Sequence, residues 1–487
     1  MCLSSLWKLT GQRHRQGQEV GSLGGIGPFC LHLTAFVYRL FHGRWECRGD
    51  PSRAAPTLDR SRVKRISCAP LTMSEKSFTI PIKSLEQRMK SEDESRHAGP
   101  EATRGWDIDD ARREQYRGAA LAAHEKKKHG RASGVSVEHH PLALPRLSAD
   151  ALMPQQPRHD LAALSLFSGG GGLDIGFERA GFRHVACYEL LPKVVACLTA
   201  NRPGWAVRSG EAGDVRGEDW TQFRGVDVMF GGPPCQPYSQ AGEQNGKADS
   251  RDMVPAYVNA IQTARPRSFL LENVATLLNP MFAAHLTAEI VRPLASTYQL
   301  RMFTLDAEAF GVPQVRRRAF IVGFLAEVDA AKFHVPVPTH RAAGSKEDGS
   351  LRRMLDDGEE SPLCMGAREA LGLKDIGVDG PAPTLRSGLT GKRFTTSIVS
   401  GQASLKRWTA LQIWPNGVAR TSEDAQLFPT PNGHFRLSVP DCALLQGFPE
   451  AWEFPRQAYL ALGIIGNSVC PPVAFKLARA IYSALAG

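Results

Sequence analysis

From residue 161 onward short apolar runs alternate with longer stretches of helical character, and this alternation limits the fold more than any other feature of the chain. The runs are LAALSLF (161–167), VACY (185–188), VDVMF (226–230), SFLL (268–271) and AFIVGF (319–324). Stretches such as FAAHLTAEIVRPLAS (282–296) stand between them. Continuous apolar runs of this length suit strands covered on both faces, and intervening helices make βαβ units. The predicted fold class is therefore α/β, a Rossmann-like, mostly parallel sheet with helices on both sides. Residues 325–433 break the rhythm with many Pro, Gly, Thr and Ser and charged runs such as SKED (345–348). They are expected to form a smaller, irregular inserted domain. PPVAFKLARAIYSALAG (471–487) returns to a helix, with its prolines at the start where a missing N–H is harmless. The expected organisation is an N-terminal extension over 1–160, a large domain over 161–329, a second domain over 330–440 and a return segment over 441–487.

The extension differs in character. Residues 1–72 carry eleven Lys/Arg against four Asp/Glu, so seven of the ten net positive charges lie there. Overall charge is thus poor evidence for a nucleic-acid partner, and a local basic face has to supply any phosphate contacts. Residues 1–72 also lack a sustained apolar period, and Met73 is the expected start of synthesis, which the intact mass of natively expressed protein checks. IDDARREQYRGAALAAHEKKK (108–128) predicts a helix, acidic early and basic late as the helix dipole favours. Residues 129–160 suggest a linker. The ten cysteines include no CxxC pair, which argues against a disulfide framework or a zinc site, and no metal is expected. LHLTAFVYRLFH (31–42) is too short to span a bilayer, contains Arg39 and lacks a signal-cleavage site. No membrane association is expected, and the cytoplasm is the expected compartment.

Several segments carry chemistry. GGPPCQPYSQAG (231–242) holds Cys235 among Pro233, Pro234 and Pro237, on a loop with few backbone options after an apolar run. Open α/β sheets place ligands and reactive groups at such strand ends; from this loop alone a buried structural cysteine and a catalytic thiol both fit. SLFSGGGGLDIGF (165–177) puts four glycines between the first strand and a helix, so backbone can approach a ligand there. The dinucleotide spacing GxGxxG fails, because Asp174 stands where the third glycine belongs. Glu189 follows the second strand, where a carboxylate can accept hydrogen bonds from ribose hydroxyls, and Asp214 in GDV (213–215) can accept from an exocyclic amine. Each acid alone is equally a solvated loop residue; together they suit an adenosine ligand without a pyrophosphate. Glu272 in SFLLENV (268–274) leaves a buried run, where desolvation raises a carboxyl pKa as a general acid requires. In QVRRR (314–318), an extended chain puts Gln314, Arg316 and Arg318 on one face and Arg317 on the other. Two guanidiniums beside a thiol would lower its pKa; an exposed arginine patch is the alternative.

The order and spacing of these segments resemble the DNA (cytosine-5)-methyltransferases over roughly residues 161–487. SLFSGGGGLDIGF is similar to the motif that lines the S-adenosyl-L-methionine site, with Phe167, Gly169, Gly171, Gly172 and Leu173 in the matching positions. By the same resemblance Glu189 is the ribose acid, Asp214 and Val215 the adenine contacts, and Pro234, Asn467 and Val469 further parts of the cofactor pocket. GGPPCQPYSQAG resembles the nucleophile loop, with Tyr238 where the family usually has phenylalanine. DSRD (249–252) resembles the arginine-containing motif that follows it. Glu272-Asn273-Val274 matches the catalytic Glu-Asn-Val, and Gln314, Arg316 and Arg318 match Gln-x-Arg-x-Arg. RLSVPDCALLQGFP (436–449) is similar to the penultimate motif, although Val439-Pro440-Asp441 departs from its Arg-Glu pattern and puts local helix capping in question. GNSVCPPVA (466–474) resembles the last motif.

The resemblance implies a large S-adenosylmethionine-dependent methyltransferase domain with a smaller target-recognition domain. The implied reaction methylates C5 of a cytosine in a specific double-stranded DNA sequence. Cys235 would attack C6 of a flipped-out base, with Glu272, Arg316 and Arg318 assisting. Ser239, Gln314, Thr384, Leu385, Arg386, Lys392 and Arg393 are the expected DNA-binding residues, the last five within APTLRSGLTGKRFTTS (382–397). A restriction endonuclease of the same system is an implied partner, and a monomer is the expected state. Two other readings compete: a tRNA cytosine-5 methyltransferase, and a catalytically inactive DNA-binding regulator on the same scaffold.

Overall fold

The computed structural model describes residues 144–234, 252–342, 361–386, 395–427, 430 and 432–487, together with five helical positions between 114 and 125. Seven strands form one sheet: β1 (Ala162–Leu166), β2 (Arg183–Glu189), β3 (Val207–Ser209), β4 (Val228–Gly231), β5 (Ser268–Val274), β6 (Gln299–Asp306) and β7 (Arg317–Phe324). Their order is β3-β2-β1-β4-β5-β7-β6. The pairs from β3 through β5 are parallel, and β7 runs antiparallel to both β5 and β6. The order reverses between β1 and β4, and the crevice outside their carboxyl ends is where such sheets bind ligands.

Side chains alternate between two cores, one on each face of the sheet. Phe230, Leu270, Phe320 and Val322 enter one, and Met229, Phe269, Leu271 and Ile321 enter the other. Helices close both faces, among them α1 (Gly172–Arg179), α2 (Pro192–Asn201) and α3 (Val254–Ala264). A second region carries α4 (Gln402–Ala410) and a two-stranded parallel sheet of β8 (Ile413–Ala419) and β9 (Phe435–Ser438). Then come α5 (Val439–Gln446), α6 (Ala458–Asn467) and α7 (Pro471–Ala486), with Pro471 and Pro472 in the first turn of α7. The last helix packs on α1. Residues 458–486 are apolar enough to cross a membrane by length and composition, but 83% of their most apolar 18-residue window is buried within the protein.

Three sequence expectations gain detail. Residues 282–296 are helical over most of their length but irregular: an α-helical turn, Ala283–His285, leads into a π-helical segment, Leu286–Val291, and α-helical geometry returns at Arg292–Leu294. Pro293 cannot donate an N–H and its ring would press on the carbonyl four residues back, which suits a π-helical opening in the turn ahead of it. The expected linker is partly structural. The backbone N–H groups of Arg146 and Leu147 donate to the Ala370 carbonyl, and Leu147, Ala149 and Met153 are buried. The departure at Val439-Pro440-Asp441 leaves α5 well capped. The Ser438 hydroxyl accepts from the Asp441 N–H while the Asp441 carboxylate accepts from the Ser438 N–H, a capping box in which aspartate does the work of glutamate.

Packing also requires part of the glycine run. A Cβ on Gly172 would collide with the Val469 carbonyl, one on Gly170 with the Ile464 side chain, and one on Gly176 would lie 2.5 Å from Ala474 Cβ. The run therefore lets α1 nest against the segment 464–474. Gly172→Ala is expected to destabilise the fold by ~1–3 kcal/mol, the usual cost of overpacking. Thermal unfolding reads this as a lowered midpoint; an unchanged midpoint would show that the seam yields.

Candidate active site

The turn after β1 and the segment after β4 face each other across the crevice. Phe167 sits at φ +56°, a left-handed backbone that a bulky residue adopts only where its surroundings impose it. Gly169, at φ +55°, donates its N–H to Glu189 Oε2 at 3.0 Å, and the Leu191 N–H donates to Oε1 at 2.9 Å. Glu189 is thus held at the end of β2 with a lone pair left on each oxygen. Burial raises its pKa while the two N–H donors lower it. On the next loop Asp214 is bound by Arg216, whose Nε lies 2.9 Å from Oδ1, and this pairing lowers the Asp214 pKa. Val215 is buried beside it.

The second half of the site grows from β5. Glu272 is 9% exposed and pairs with Arg318, whose Nε is 3.1 Å from Oε1. The register explains the contact: Glu272 lies opposite Phe320 and Val274 opposite Arg318, so the acid and the arginine are diagonal neighbours on one face. Desolvation raises the Glu272 pKa, and the charges of Arg318 and Arg316 only partly offset it. A Cβ on Gly232 would lie 2.8 Å from Glu272 Oε2, so the chain that leads to Cys235 runs directly past this carboxyl group. Asn273 Nδ2 donates to the Pro233 carbonyl at 3.1 Å, and the Met253 N–H donates to the Pro234 carbonyl at 3.1 Å. The start of the cysteine loop is therefore tied to β5 and to the entrance of α3. Cys235 itself lies outside the described residues, as do Ser239, Lys392 and Arg393.

Residues 161–483 match the family model of the C-5 cytosine-specific DNA methylases. The chain belongs to the cytosine-5 DNA methyltransferase family. The Type II methyltransferase M.NgoMIV of Neisseria gonorrhoeae is 32% identical over 327 residues, covering 66% of this chain and 97% of that one. M.NaeI of Lentzea aerocolonigenes is also 32% identical, over 67% of this chain and 75% of its own. Among solved structures, the S. pombe Dnmt2 methyltransferase aligns with a TM-score of 0.41 and 16% identity, covering 66% of this chain and 98% of that one. This chain is accordingly a DNA (cytosine-5)-methyltransferase related to bacterial restriction–modification enzymes.

Within this methyltransferase the expected residues divide by what they touch. Glu189, Asp214, Pro234 and Asn467 are partly or well exposed, whereas Leu173 and Val469 are core residues in the seam between α1 and the last motif. Gly171 also belongs to packing: its Cβ would meet Leu198 and Trp452 at 3.0 Å. Gln314 was expected at DNA, and its burial corrects that. It is fully enclosed, donating to the Leu445 carbonyl and to Gln446 Oε1 while accepting from the Leu385 N–H. Leu385 is 2% exposed, which removes its side chain from DNA, whereas Thr384 is partly exposed and its hydroxyl donates to the Val315 carbonyl; both residues help fix the second region to the strand entry. Arg386 is exposed.

Arg316, expected among the catalytic residues, is buried like Gln314. It is 3% exposed, and its Nη2 donates to the Gly466 and Ser468 carbonyls at 3.0 and 2.8 Å. Burial and the neighbouring Arg318 depress its pKa to about 9. It positions the last motif, while Arg318 is the arginine beside the acid. Arg317 points outward to Asp306, as the strand period requires. Sequence reasoning missed Gln446, whose amide donates to the Ser468 carbonyl at 2.6 Å and accepts from Gln314. The signal was its place in LLQGFP, a polar residue ending an otherwise apolar helix.

Proposed function

We propose that the protein transfers a methyl group from S-adenosyl-L-methionine to C5 of a cytosine within a specific double-stranded DNA sequence. The supporting observation is the Glu272–Arg318 pair at the carboxyl end of β5, next to the backbone that leads into the Cys235 loop. Phe167, Gly169, Glu189, Asp214 and Asn467 would hold the cofactor at the neighbouring strand ends. The free lone pairs of Glu189 suit a ribose diol, and the glycine turn after β1 lacks dinucleotide spacing. The cofactor supplies an electrophilic methyl group, which a resting cytosine C5 is too weak a nucleophile to accept.

Cys235 overcomes that weakness. Its thiolate adds to C6, and electron density moves to C5 and N3. Glu272, whose pKa burial raises, donates to N3 in its protonated form, and Arg318 stabilises charge on the O2 side. After transfer the C5 proton leaves to a base, the Cys235–C6 bond breaks, and 5-methylcytosine is released. A stacked base cannot be reached from both faces, so the target cytosine is flipped out of the duplex. Residues 330–440 are the proposed target-recognition domain, with Arg386, Lys392 and Arg393 available for phosphate or guanine. The protein acts as a monomer, with a restriction endonuclease of the same system as its counterpart.

Duplex DNA containing 5-fluorocytosine tests the reading directly, because fluorine at C5 cannot leave as a proton and the covalent complex persists. The expected result is an adduct stable in denaturing gels. Expression in a methylation-free bacterial host should place 5-methylcytosine at one recurring sequence. Methylation of tRNA without any on duplex DNA would overturn the proposal in favour of the RNA-acting alternative.

Arg216 competes for the acceptor that the adenine amine would use. Arg216→Ala is expected to tighten cofactor binding roughly 1.5- to 5-fold, the range of a partly exposed ion pair. Calorimetric titration measures it; weaker binding would show that Arg216 itself contacts the cofactor.

A further inference from the structure

A cluster outside the reaction site joins α1 to β2. Asp174, His184 and Cys187 place one ligating atom each within 4.8 Å of one another. Asp174 Oδ1 is 3.5 Å from His184 Nε2 and 3.6 Å from Cys187 Sγ. A tetrahedral zinc bound by oxygen, nitrogen and sulfur at their usual lengths requires ligand-to-ligand edges of roughly 3.3–3.6 Å. The side chains of Asp174 and His184 are 0% and 2% exposed, and Asp174 Oδ2 and His184 Nε2 have no hydrogen-bond partner. Buried polar atoms without hydrogen-bond partners are costly, and this cluster holds two of them. The imidazole is already fixed, stacked on Trp205 at 4.3 Å and edge-on to Phe230 at 5.8 Å. The sequence argument against zinc rested on the missing CxxC pair; these three ligands come instead from a helix and a neighbouring strand.

We propose that Asp174, His184 and Cys187 form a structural zinc site that fastens α1 to β2 behind the glycine-rich turn. Binding releases the Cys187 thiol proton to solvent. The metal's two positive charges then balance one carboxylate and one thiolate, leaving the buried site neutral. A mixed carboxylate, imidazole and thiolate set favours zinc over magnesium or calcium, which take oxygen ligands. A water completes the tetrahedron. The site is independent of the reaction assigned above.

Untagged full-length protein purified without chelator is expected to hold one zinc per chain by elemental analysis. Stripping the metal is expected to lower the unfolding midpoint by about 5 °C or more, and added zinc to restore it. Cobalt in place of zinc should give a thiolate charge-transfer band that disappears in Cys187→Ser and in Asp174→Asn. Metal-free protein whose midpoint ignores both chelator and added zinc overturns the site, as does a cobalt band that survives Cys187→Ser. Should those variants fail to fold, X-ray absorption of the wild-type zinc protein decides. One sulfur near about 2.3 Å with lighter ligands near about 2.0 Å supports the site, and any other sulfur count overturns it.

Discussion

Cys235→Ala is expected to abolish methyl transfer, lowering the rate by roughly 10⁴-fold or more, as deletion of a covalent nucleophile does. The same substitution should remove the 5-fluorocytosine adduct while leaving cofactor binding and thermal stability close to wild type. The reason lies in the division of labour around the loop. The Glu272–Arg318 pair, the Asn273 bond to the Pro233 carbonyl and the Met253 bond to Pro234 stay intact without the thiol. The proposed cofactor residues Gly169 and Glu189, at the ends of β1 and β2, are bonded to each other and do not depend on the thiol. What disappears is the one group able to make C5 nucleophilic. A flipped base with Glu272 and Arg318 in place, but nothing added at C6, still presents an aromatic ring to an electrophile. A gel-shift assay on target DNA separates the effects: binding retained with no transfer supports nucleophilic catalysis by Cys235. Residual transfer within tenfold of wild type would sink the mechanism.

The large domain was legible because its strands are buried on both faces, and continuous apolar runs have few other uses in a chain of this length. The period-2 rule placed Arg317 opposite Arg316 and Arg318 before any coordinates, and Asp306 now receives it at the surface. Function was legible through ordered motifs, yet those motifs did not say which residues touch substrate and which hold the others in place. Gln314, Arg316 and Leu385 illustrate the limit. Gln314 and Arg316 bond to Leu445, Gln446, Gly466 and Ser468, 131 to 152 residues away in sequence, and Leu385 bonds to Gln314, 71 residues away. No local pattern encodes such a network, and a buried glutamine looks the same in a sequence as an exposed one. The glycine run is ambiguous in a related way. A missing side chain signals close approach but does not name what approaches, and here the answer for Gly170, Gly172 and Gly176 is the protein's own C-terminal segment. Arg146 to Met153 lay hidden as a linker because a Pro- and Ser-containing stretch that docks through backbone bonds to Ala370 has no periodicity to reveal it.

Glu272→Gln is expected to lower kcat by roughly 10²–10⁴-fold with little change in DNA affinity, the span typical of a lost general acid. Glutamine keeps the size and a hydrogen-bond donor but cannot give up a proton as N3 becomes basic. The pH dependence carries the sharper distinction. Burial raises the Glu272 pKa in spite of Arg318, so the protonated form needed for donation persists above the ordinary carboxyl range and is lost as pH rises through the raised value. Cys235 needs the opposite change, since only its thiolate attacks. The kcat/KM profile of the wild type should therefore rise with thiol ionisation and fall with Glu272 ionisation. In Glu272→Gln the falling limb should vanish while the rising limb stays. Stability follows the same sign. A carboxyl protonated more readily in the folded state favours folding below the unfolded glutamate pKa, and that contribution fades as pH climbs through the folded value. Glu272→Gln should flatten this part of the stability curve. A falling activity limb that survives in Glu272→Gln would assign that ionisation to another group and remove Glu272 from the proton-donating role.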